Sequence, residues 1–181
     1  DKALARGARI HGEVLGQASS SDAFHVAAPD PESKGAIRAM QWALDDAGLT
    51  PDDVSYINAH GTSTPVNDVN ETQAIKRLFG ERAYEVPISS TKSSMGHAMG
   101  GTGTIESIFT TLALSRGIIP PTWNYETPDP ECDLDYVPNA PRPAAIRVAL
   151  KNSFGLGGQN ACLVLRRYEN GQGSGGAGEQ G

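Results

Sequence analysis

The stretches INAHGTSTP at 57–65 and STKSSMGH at 90–97 decide the predicted fold and place its functional site. Each stretch continues an apolar run with strand propensity, at 54–57 and at 86–88, and each delivers basic side chains where that run ends. Ligands of open α/β sheets bind outside the carboxyl ends of the strands. The two stretches therefore predict strands whose ends meet at one functional site.

Basic side chains at these strand ends, His60, Lys92 and His97, form the predicted site. A cluster of hydrogen-bond donors of this kind suits an oxyanion or an enolate. A single histidine at a strand end is more often structural, but the Gly-Thr-Ser-Thr run after His60 lets a ligand approach the backbone. For Lys92 the alternative is a solvated surface charge. A histidine metal site is a third hypothesis, and the lack of another ligand at short spacing disfavours it.

Apolar periodicity predicts strands and helices in the order βαβαβαββ, which is typical of a layered α/β unit. A serine run at 19–21 ends the first strand, and a proline-rich connection at 120–143 contains one short strand at 135–137. The last two strands form an antiparallel hairpin around a glycine-rich turn. The predicted strands are 9–17, 52–59, 84–90, 146–152 and 160–167, and the predicted helices are 32–48, 65–79 and 96–115.

The third predicted helix, 96–115, is unusual because Gly100, Gly101 and Gly103 fall in its early turns. Each exposed interior glycine costs a helix about 1 kcal/mol relative to alanine. Glycines there favour close packing against another backbone, so we expect this helix to be buried. The positive end of its dipole, next to His97, would favour a neutral imidazole that can donate a hydrogen bond.

Composition disfavours several classes of function. The 181 residues carry a net charge of −6, with a pI near 5.1, which argues against nucleic acid or an anionic membrane surface as the main partner. No run approaches the roughly 20 apolar residues that a transmembrane helix needs. The two cysteines, Cys132 and Cys162, lack metal-ligand spacing and indicate reduced, buried thiols in a cytoplasmic protein.

The glycine-rich stretch NSFGLGGQN at 152–160 could be taken for a phosphate-binding loop. It lacks the third glycine at the required spacing and leads into a strand, so a dinucleotide site is disfavoured. Its glycines favour positive φ angles and backbone movement instead.

Taken in order, HGTST, TKSSMGH and NSFGLGGQN resemble the C-terminal part of the β-ketoacyl-acyl carrier protein synthases, of the elongating type II kind that works with a free carrier protein. The resemblance covers about residues 6–168. It implies a thiolase-like layered α/β fold, in which two halves are related by a pseudo-twofold axis. On this basis residues 1–20 would be the last strand of an N-terminal half, 21–169 the C-terminal βαβαβαββ half, and 170–181 a disordered glycine-rich tail.

The resemblance also implies an acyltransferase, which performs decarboxylative Claisen condensation in fatty acid or polyketide biosynthesis. His60 and His97 would be the catalytic histidines that stabilise the enolate formed when a malonyl thioester loses carbon dioxide. Lys92 would complete the catalytic set, with Glu106 as its buried supporting partner.

Two further groups follow from the resemblance. Thr62 and Thr64 would contact the phosphopantetheine arm of the carrier, although Thr64 before Pro65 is also suited to helix capping. The glycine-rich turn would be a mobile gating loop, with Phe154 beside the nucleophile and Leu156 at the place where the family commonly has a phenylalanine. The gating loop comprises Phe154, Gly155, Leu156, Gly157 and Gly158.

The implied partners are an acyl carrier protein, which brings its own phosphopantetheine so that no cofactor is expected, and a second full-length copy in a homodimer. The family's nucleophile is a cysteine at the start of a helix in the N-terminal half. Neither Cys132, in the proline-rich connection, nor Cys162, inside the last strand, has that context, so we expect this chain alone to be inactive. The alternative hypothesis is a non-catalytic subunit resembling the chain-length factors of polyketide pathways, which would not need His60, Lys92 and His97 together.

Overall fold

A computed structural model describes residues 2–169, and the predicted disordered tail at 170–181 lies outside them. The main elements follow the predicted βαβαβαββ order. The helices are α1 Lys2–Ala5, α2 Lys34–Ala47, α3 Pro65–Phe79, α4 Lys92–Met95 and α5 Thr102–Arg116. The strands are β1 Glu13–Ser21, β2 Tyr56–Asn58, β3 Ile88–Ser89, β4 Ile118–Ile119, β5 Arg142–Pro143, β6 Val148–Gly155 and β7 Gln159–Arg166. None of the described helices is long and apolar enough to cross a membrane.

Five strands form the central sheet in the order β1-β7-β6-β2-β3. β2 runs parallel to β3 and to β6, whereas β7 lies antiparallel between β6 and β1. Because β2 and β3 are parallel neighbours, with Ile57 opposite Ile88, their carboxyl ends leave the sheet at the same edge. The strands β4 and β5 form a separate two-stranded sheet.

The first strand belongs to the central sheet. β1 pairs with β7 from Glu13, opposite Arg166, to Ser21, opposite Gln159. The hydrogen bonds of β1 therefore tie it to the C-terminal hairpin, and the assignment of residues 1–20 to an N-terminal half stays a prediction. The predicted break at the serine run is wrong. The Ser20 hydroxyl donates to a backbone carbonyl of α2 at 2.6 Å, so a serine is accommodated within the strand.

The predicted α3 and the C-terminal hairpin are confirmed, but the strands that lead into the two motifs are shorter than predicted. The segment before β2 is a 3-10 turn, which closes when the Thr50 N–H donates to the Asp53 carboxylate at 2.8 Å. The predicted strand at 135–137 is absent, because its backbone carbonyls accept separate hydrogen bonds from Ile88 and Thr122 instead of forming a ladder. There the Ile88 N–H donates to the Asp135 carbonyl at 2.8 Å.

The sheet is covered on both faces. α2 and α3 share the larger core on one face, where Met40 and Leu44 are fully buried, and each such side chain stabilises the fold by about 1.5–3 kcal/mol. α5 covers the other face, where Leu114 packs in a smaller cluster with Tyr56. Met40 and Leu44 are thus on the buried side of α2 as predicted, whereas Trp42, predicted on the same side, is 47% exposed, and the helix ends at Gly48 with a φ of 65°.

The third predicted helix begins later than expected. Gly100 and Gly101 lie in a 3-10 turn before α5, and only Gly103 falls inside the helix. The expected burial holds for one side of α5 alone, since Ile108 and Phe109 are 54% and 38% exposed. The described residues therefore leave an apolar side of α5 uncovered.

Gly16 in β1 marks a close approach between the backbones of the sheet and α2. A Cβ built on Gly16 would lie 2.5 Å from the Ala43 carbonyl oxygen and 2.7 Å from the Ala47 nitrogen, both of which are backbone atoms. We predict that Gly16→Ala lowers the free energy of unfolding by about 1–3 kcal/mol, because overpacking pushes the helix away from the sheet. Urea-induced unfolding followed by circular dichroism measures this change.

The matched control is Gly100→Ala, since nothing lies within 4 Å of a Cβ built on Gly100. Its free energy of unfolding should stay within about 0.5 kcal/mol of the unsubstituted chain. If Gly16→Ala and Gly100→Ala unfolded at the same urea concentration, the close packing of β1 on α2 would be contradicted.

Candidate active site

The carboxyl ends of β2 and β3 bring the predicted basic residues together. His60 follows β2 and is only 9% exposed, and Lys92 opens α4 directly after β3. Gly96, at a φ of 78°, ends α4 and turns the chain toward His97. The ring centroids of His60 and His97 lie 5.7 Å apart in an edge-to-face arrangement. The structure thus places these residues in one cluster at the predicted edge of the sheet.

Lys92 occupies the centre of this cluster. Its Nζ donates to the His60 carbonyl oxygen and to Glu106 Oε1, each at 2.5 Å. The Lys92 and Glu106 side chains are 5% and 0% exposed. The alternative of a solvated surface charge is therefore wrong for Lys92. A buried ammonium needs such partners, because removing a lone charge from water is strongly unfavourable.

Glu106 also holds a second ammonium. Lys151 on β6 is 3% exposed, and its Nζ lies 3.2 Å from Glu106 Oε2 while also contacting the Ser153 hydroxyl. The contact with Glu106 is an ion pair without hydrogen-bond geometry. Burial lowers the pKa of Lys151, and the nearby Glu106 opposes that effect. Lys151 was not among the predicted site residues, although a lysine within an apolar strand is a signal of burial.

His60 is held as a neutral imidazole. Burial, followed by the charges of Lys92, His97 and Lys151, lowers the pKa of His60 to about 3. Its Nδ1 is buried and has no hydrogen-bond partner within residues 2–169. Phe154 lies against the ring with a centroid distance of 5.9 Å. A neutral ring keeps one N–H that can donate to a ligand oxygen.

The hydrogen bonds around His97 determine which ring nitrogen carries the proton in its neutral form. Its Nδ1 accepts the Met99 N–H at 3.1 Å, so this nitrogen carries no proton in the neutral ring. The Thr102 hydroxyl, at the start of α5, lies 3.0 Å from the same nitrogen. The proton of a neutral His97 is therefore on Nε2, which is the outer nitrogen of an exposed side chain. His97 can donate from Nε2 to a bound group.

Glu71 on α3 is a site residue that the motifs did not reveal. Its carboxylate accepts the backbone N–H groups of His60 and Gly61, both at 2.9 Å, and the Asn152 side-chain amide at 3.1 Å. Burial raises the pKa of Glu71, and these hydrogen bonds oppose the rise. A glutamate within the buried side of a helix was the available signal. Glu71 fixes the backbone that carries His60.

Thr62 and Thr64 lie beside a cavity of about 640 Å³, and their hydroxyls are 2.9 Å apart. Lys92 and His97 line the same cavity. Thr64 stands at the N-cap position of α3, but its side chain makes no capping hydrogen bond. The Thr64 hydroxyl therefore does not cap α3, contrary to the capping alternative.

The glycine-rich turn joins β6 to β7, and Gly157 and Gly158 have φ angles of 82° and 73°. The Gly157 N–H donates to the Val26 carbonyl at 2.9 Å, so the turn rests on the loop after β1. Leu156, at the tip, is 73% exposed. The predicted positive φ angles are therefore present at Gly157 and Gly158 but not at Gly155, and the Leu156 side chain is exposed.

Neither cysteine has the features of an activated nucleophile. Burial raises the pKa of Cys132, and burial raises the pKa of Cys162 to about 12. Both thiols are therefore protonated at neutral pH. Among the described residues no group of His, Cys, Asp and Glu side chains is arranged to hold a metal ion.

Comparisons with known proteins place this site in a family. Residues 11–126 match the family described as beta-ketoacyl synthase, C-terminal domain. The chain is 56% identical over 169 residues to the 3-oxoacyl-[acyl-carrier-protein] synthase 2 of Synechocystis sp., which covers 93% of this chain and 41% of that protein. The protein belongs to the β-ketoacyl synthase family and corresponds to its C-terminal domain. It spans about 41% of the length of that relative.

Solved structures share the fold. In a type II PKS complex of an acyl-carrier protein with its ketosynthase, the match has a TM-score of 0.90 at 42% identity, covering 92% of this chain and 41% of that one. The ishigamide ketosynthase/chain length factor matches with a TM-score of 0.88 at 43% identity, covering 93% of this chain and 41% of that one. The predicted thiolase-like α/β fold is confirmed.

Glu71 offers a test of how the site is held. Glutamine has one oxygen where glutamate has two, so Glu71→Gln sets an NH₂ group against the His60 or the Gly61 N–H. We predict that this substitution lowers the free energy of unfolding by about 1–3 kcal/mol at neutral pH, because a buried donor loses its acceptor. Urea unfolding measures the change.

The control is Glu81→Gln, the same chemical change at an exposed position, which should alter stability by no more than about 0.5 kcal/mol. Equal unfolding midpoints for Glu71→Gln and Glu81→Gln would show that the Glu71 hydrogen bonds contribute nothing to the fold.

Proposed function

We propose that this chain supplies the enolate-forming part of a 3-oxoacyl-[acyl carrier protein] synthase. Such an enzyme joins a malonyl-carrier thioester to an enzyme-bound acyl group by decarboxylative Claisen condensation. The observation that supports this function best is the pair of imidazoles, His60 and His97, 5.7 Å apart with the Lys92 ammonium bound to the His60 carbonyl. Membership of the β-ketoacyl synthase family supports it independently.

The proposed reaction begins with the loss of carbon dioxide. The bond between the malonyl carboxylate and its α-carbon breaks, and the electron pair moves onto the thioester oxygen to form an enolate. The neutral His60 offers its one N–H to that oxygen, and His97 offers the N–H of Nε2. Hydrogen-bond donors held in place where negative charge develops are the strongest means of stabilising it. Since neither donor is a strong acid, the α-carbon stays unprotonated and reactive.

The enolate carbon then attacks the carbonyl carbon of an acyl group held on a cysteine. A carbon–carbon bond forms, the cysteine thiolate leaves, and the 3-oxoacyl thioester remains on the carrier. Cys132 and Cys162 are unsuited to this role because burial raises the pKa of each thiol. We infer that an N-terminal part of the protein provides the nucleophile.

In this proposal Lys92 acts on the reaction through position and charge. It holds the His60 carbonyl, and with Glu106 it forms a buried ion pair. A positive charge in a site of low dielectric stabilises an enolate more strongly than the same charge in water. Glu106 would be a supporting residue rather than one that touches the substrate.

The carrier arm would enter through the cavity beside Thr62 and Thr64. The cavity has a volume of about 640 Å³, and the hydroxyl groups on its wall suit the amides of a phosphopantetheine chain, which donate and accept hydrogen bonds. The PKS ketosynthase that matches this chain is in complex with its acyl-carrier protein, which favours a carrier as partner here. The phosphopantetheine arrives on that carrier, so the proposal includes no resident cofactor. The gating loop, with Phe154 against His60, would regulate access.

The exposed side of α5 indicates where further protein packs. Ile108 and Phe109 on α5 are 54% and 38% exposed, and Met99, in the 3-10 turn before that helix, is 71% exposed. An apolar surface of this kind favours association. We propose that the N-terminal part covers it and that the complete enzyme is a homodimer in the cytoplasm.

The alternative function is a non-catalytic subunit like a chain-length factor, since one matched structure is a ketosynthase/chain length factor. A subunit without chemistry has no need of a buried Lys92 bound to His60 or of His97 beside it. The arrangement of these residues therefore favours the catalytic proposal.

The catalytic proposal is tested by His60→Ala and His97→Ala in a protein that joins this chain to its N-terminal part. We predict that each substitution lowers the rate of malonyl decarboxylation by about 10²–10³-fold, because one donor to the enolate is lost. Acyl transfer to the nucleophilic cysteine should remain measurable. Release of labelled carbon dioxide and mass spectrometry of the acyl-enzyme give the two readouts.

His11→Ala is the matched control, since His11 is an exposed histidine. It should leave both steps unchanged. Decarboxylation at the control rate in His60→Ala and His97→Ala would contradict the proposed roles and favour the non-catalytic alternative.

A further prediction concerns the chain by itself. We predict that the isolated 181 residues do not condense acyl thioesters and tend to associate through the apolar side of α5. Adding a separately expressed N-terminal part should restore some condensation. Size-exclusion chromatography with a condensation assay tests both statements. A monodisperse monomer that condenses acyl thioesters alone would overturn the inferred need for an N-terminal nucleophile.

A further inference from the structure

We propose that Lys151 is a positioning residue of the candidate site, which locks Glu106 and thereby holds Lys92 against the His60 carbonyl. This inference rests on the proposed function for its catalytic consequence. Its structural basis is the chain of contacts from Lys151 to Glu106, from Glu106 to Lys92, and from Lys92 to His60.

The carboxylate of Glu106 is shared by two ammonium groups, and this geometry supports a positioning role for Lys151. Lys92 Nζ binds Glu106 Oε1 at 2.5 Å, and Lys151 Nζ lies 3.2 Å from Oε2. With a cation on each oxygen, the carboxylate cannot rotate without leaving one ammonium unpaired in a buried place. Lys151 thus restrains the orientation of Glu106, and through it the direction in which Lys92 points.

The position of Lys151 in the sheet also supports this role. Lys151 on β6 stands directly opposite Asn58 on β2, two residues before His60. Its side chain is 3% exposed although it carries a charge. A buried ion pair is weak support for stability, because an apolar side chain of the same size often serves as well. The charge therefore points to a role other than stability.

The balance of charge near His60 supports an effect of Lys151 on this imidazole. Lys92 and Lys151 share one carboxylate, so this cluster has a net positive charge. The other titratable groups that face His60 are His97, after α4, and Glu71, on α3. The charges of Lys92 and Lys151 both disfavour protonation of His60. Removal of the Lys151 charge is therefore expected to act on the state of His60 as well as on the position of Lys92.

The test is Lys151→Met, which keeps an unbranched side chain one atom shorter than lysine and removes the charge. In the 181-residue chain, NMR of the imidazole carbon-bound protons should show His60 becoming protonated at a higher pH than in the unsubstituted chain. In a protein joined to its N-terminal part, kcat for malonyl decarboxylation should fall about tenfold, equivalent to about 1.4 kcal/mol, with KM unchanged.

Three further variants define the interpretation. Lys34→Met removes one charge from an exposed lysine on α2 and should change neither readout. Lys151→Arg keeps the charge and should retain more of the decarboxylation rate than Lys151→Met. When Lys151→Met is combined with Glu106→Gln, the losses should be less than additive, because Lys151 acts through Glu106.

Two outcomes would overturn the proposal. The first is an unchanged protonation of His60 together with an unchanged kcat in Lys151→Met, with only stability altered. The second is full additivity with Glu106→Gln. If Lys151→Met does not fold, Lys151→Gln removes the charge while keeping a polar group for the Ser153 hydroxyl, and the same readouts apply. The NMR measurement needs no substrate, so it can succeed even where the condensation proposal fails.

Discussion

The buried ammonium of Lys92, whose side chain is only 5% exposed, is the constraint on which the rest of the site depends. The desolvation penalty for such a group is several kcal/mol, so its partners must be held in place for the fold to tolerate it. Lys92 meets this requirement with Glu106 on α5 and with the carbonyl of His60 after β2. One charge therefore ties α4, α5 and the end of a central strand together. The spacing of the imidazoles follows from that connection.

The backbone of His60 is held from two directions. The Lys92 ammonium donates to the His60 carbonyl, and the Glu71 carboxylate on α3 accepts from the His60 N–H. A carboxylate and an ammonium thus bind the two backbone polar groups of the same residue. Each is bound in turn by another side chain, Glu71 by Asn152 and Lys92 by Glu106. The imidazole is left with no strong partner on Nδ1 within the described residues. A site of this kind restrains the position of a side chain without engaging its reactive atoms.

The residues that could be predicted from the sequence are those that local rules place. His60 and His97 follow apolar runs that end in small and hydroxyl residues, and the parallel pairing of β2 with β3 does the rest. Glu71 and Lys151 could not be found in this way. Each is a charged residue within an otherwise buried pattern, which signals burial but not the partner, and the partners lie on elements distant along the chain.

The fold shows the same limit. The apolar periodicity of α3 predicts its bounds because helix formation depends on neighbouring residues, whereas strand pairing does not. The serines at the end of β1 have weak strand propensity, and they extend because β7 lies opposite them. The turn that shortens the approach to β2 depends on hydrogen bonds between Thr50 and Asp53, which apolar periodicity does not reveal.

The shortness of β2 and β3 has a consequence for how this chain can vary. β2 comprises Tyr56–Asn58 and β3 only Ile88–Ser89, with Ile57 opposite Ile88. A slip of one residue in that pairing would exchange the faces of the sheet. Insertions at the far turn, Gly80–Tyr84, would fall before β3, at the end of the sheet opposite the site, where Ala83 is fully buried in the core. Insertions between Asn58 and His60 would carry the imidazole away from its ammonium. A change of length at the carboxyl ends of these strands therefore displaces the site itself, whereas a change at the far turn disturbs core packing.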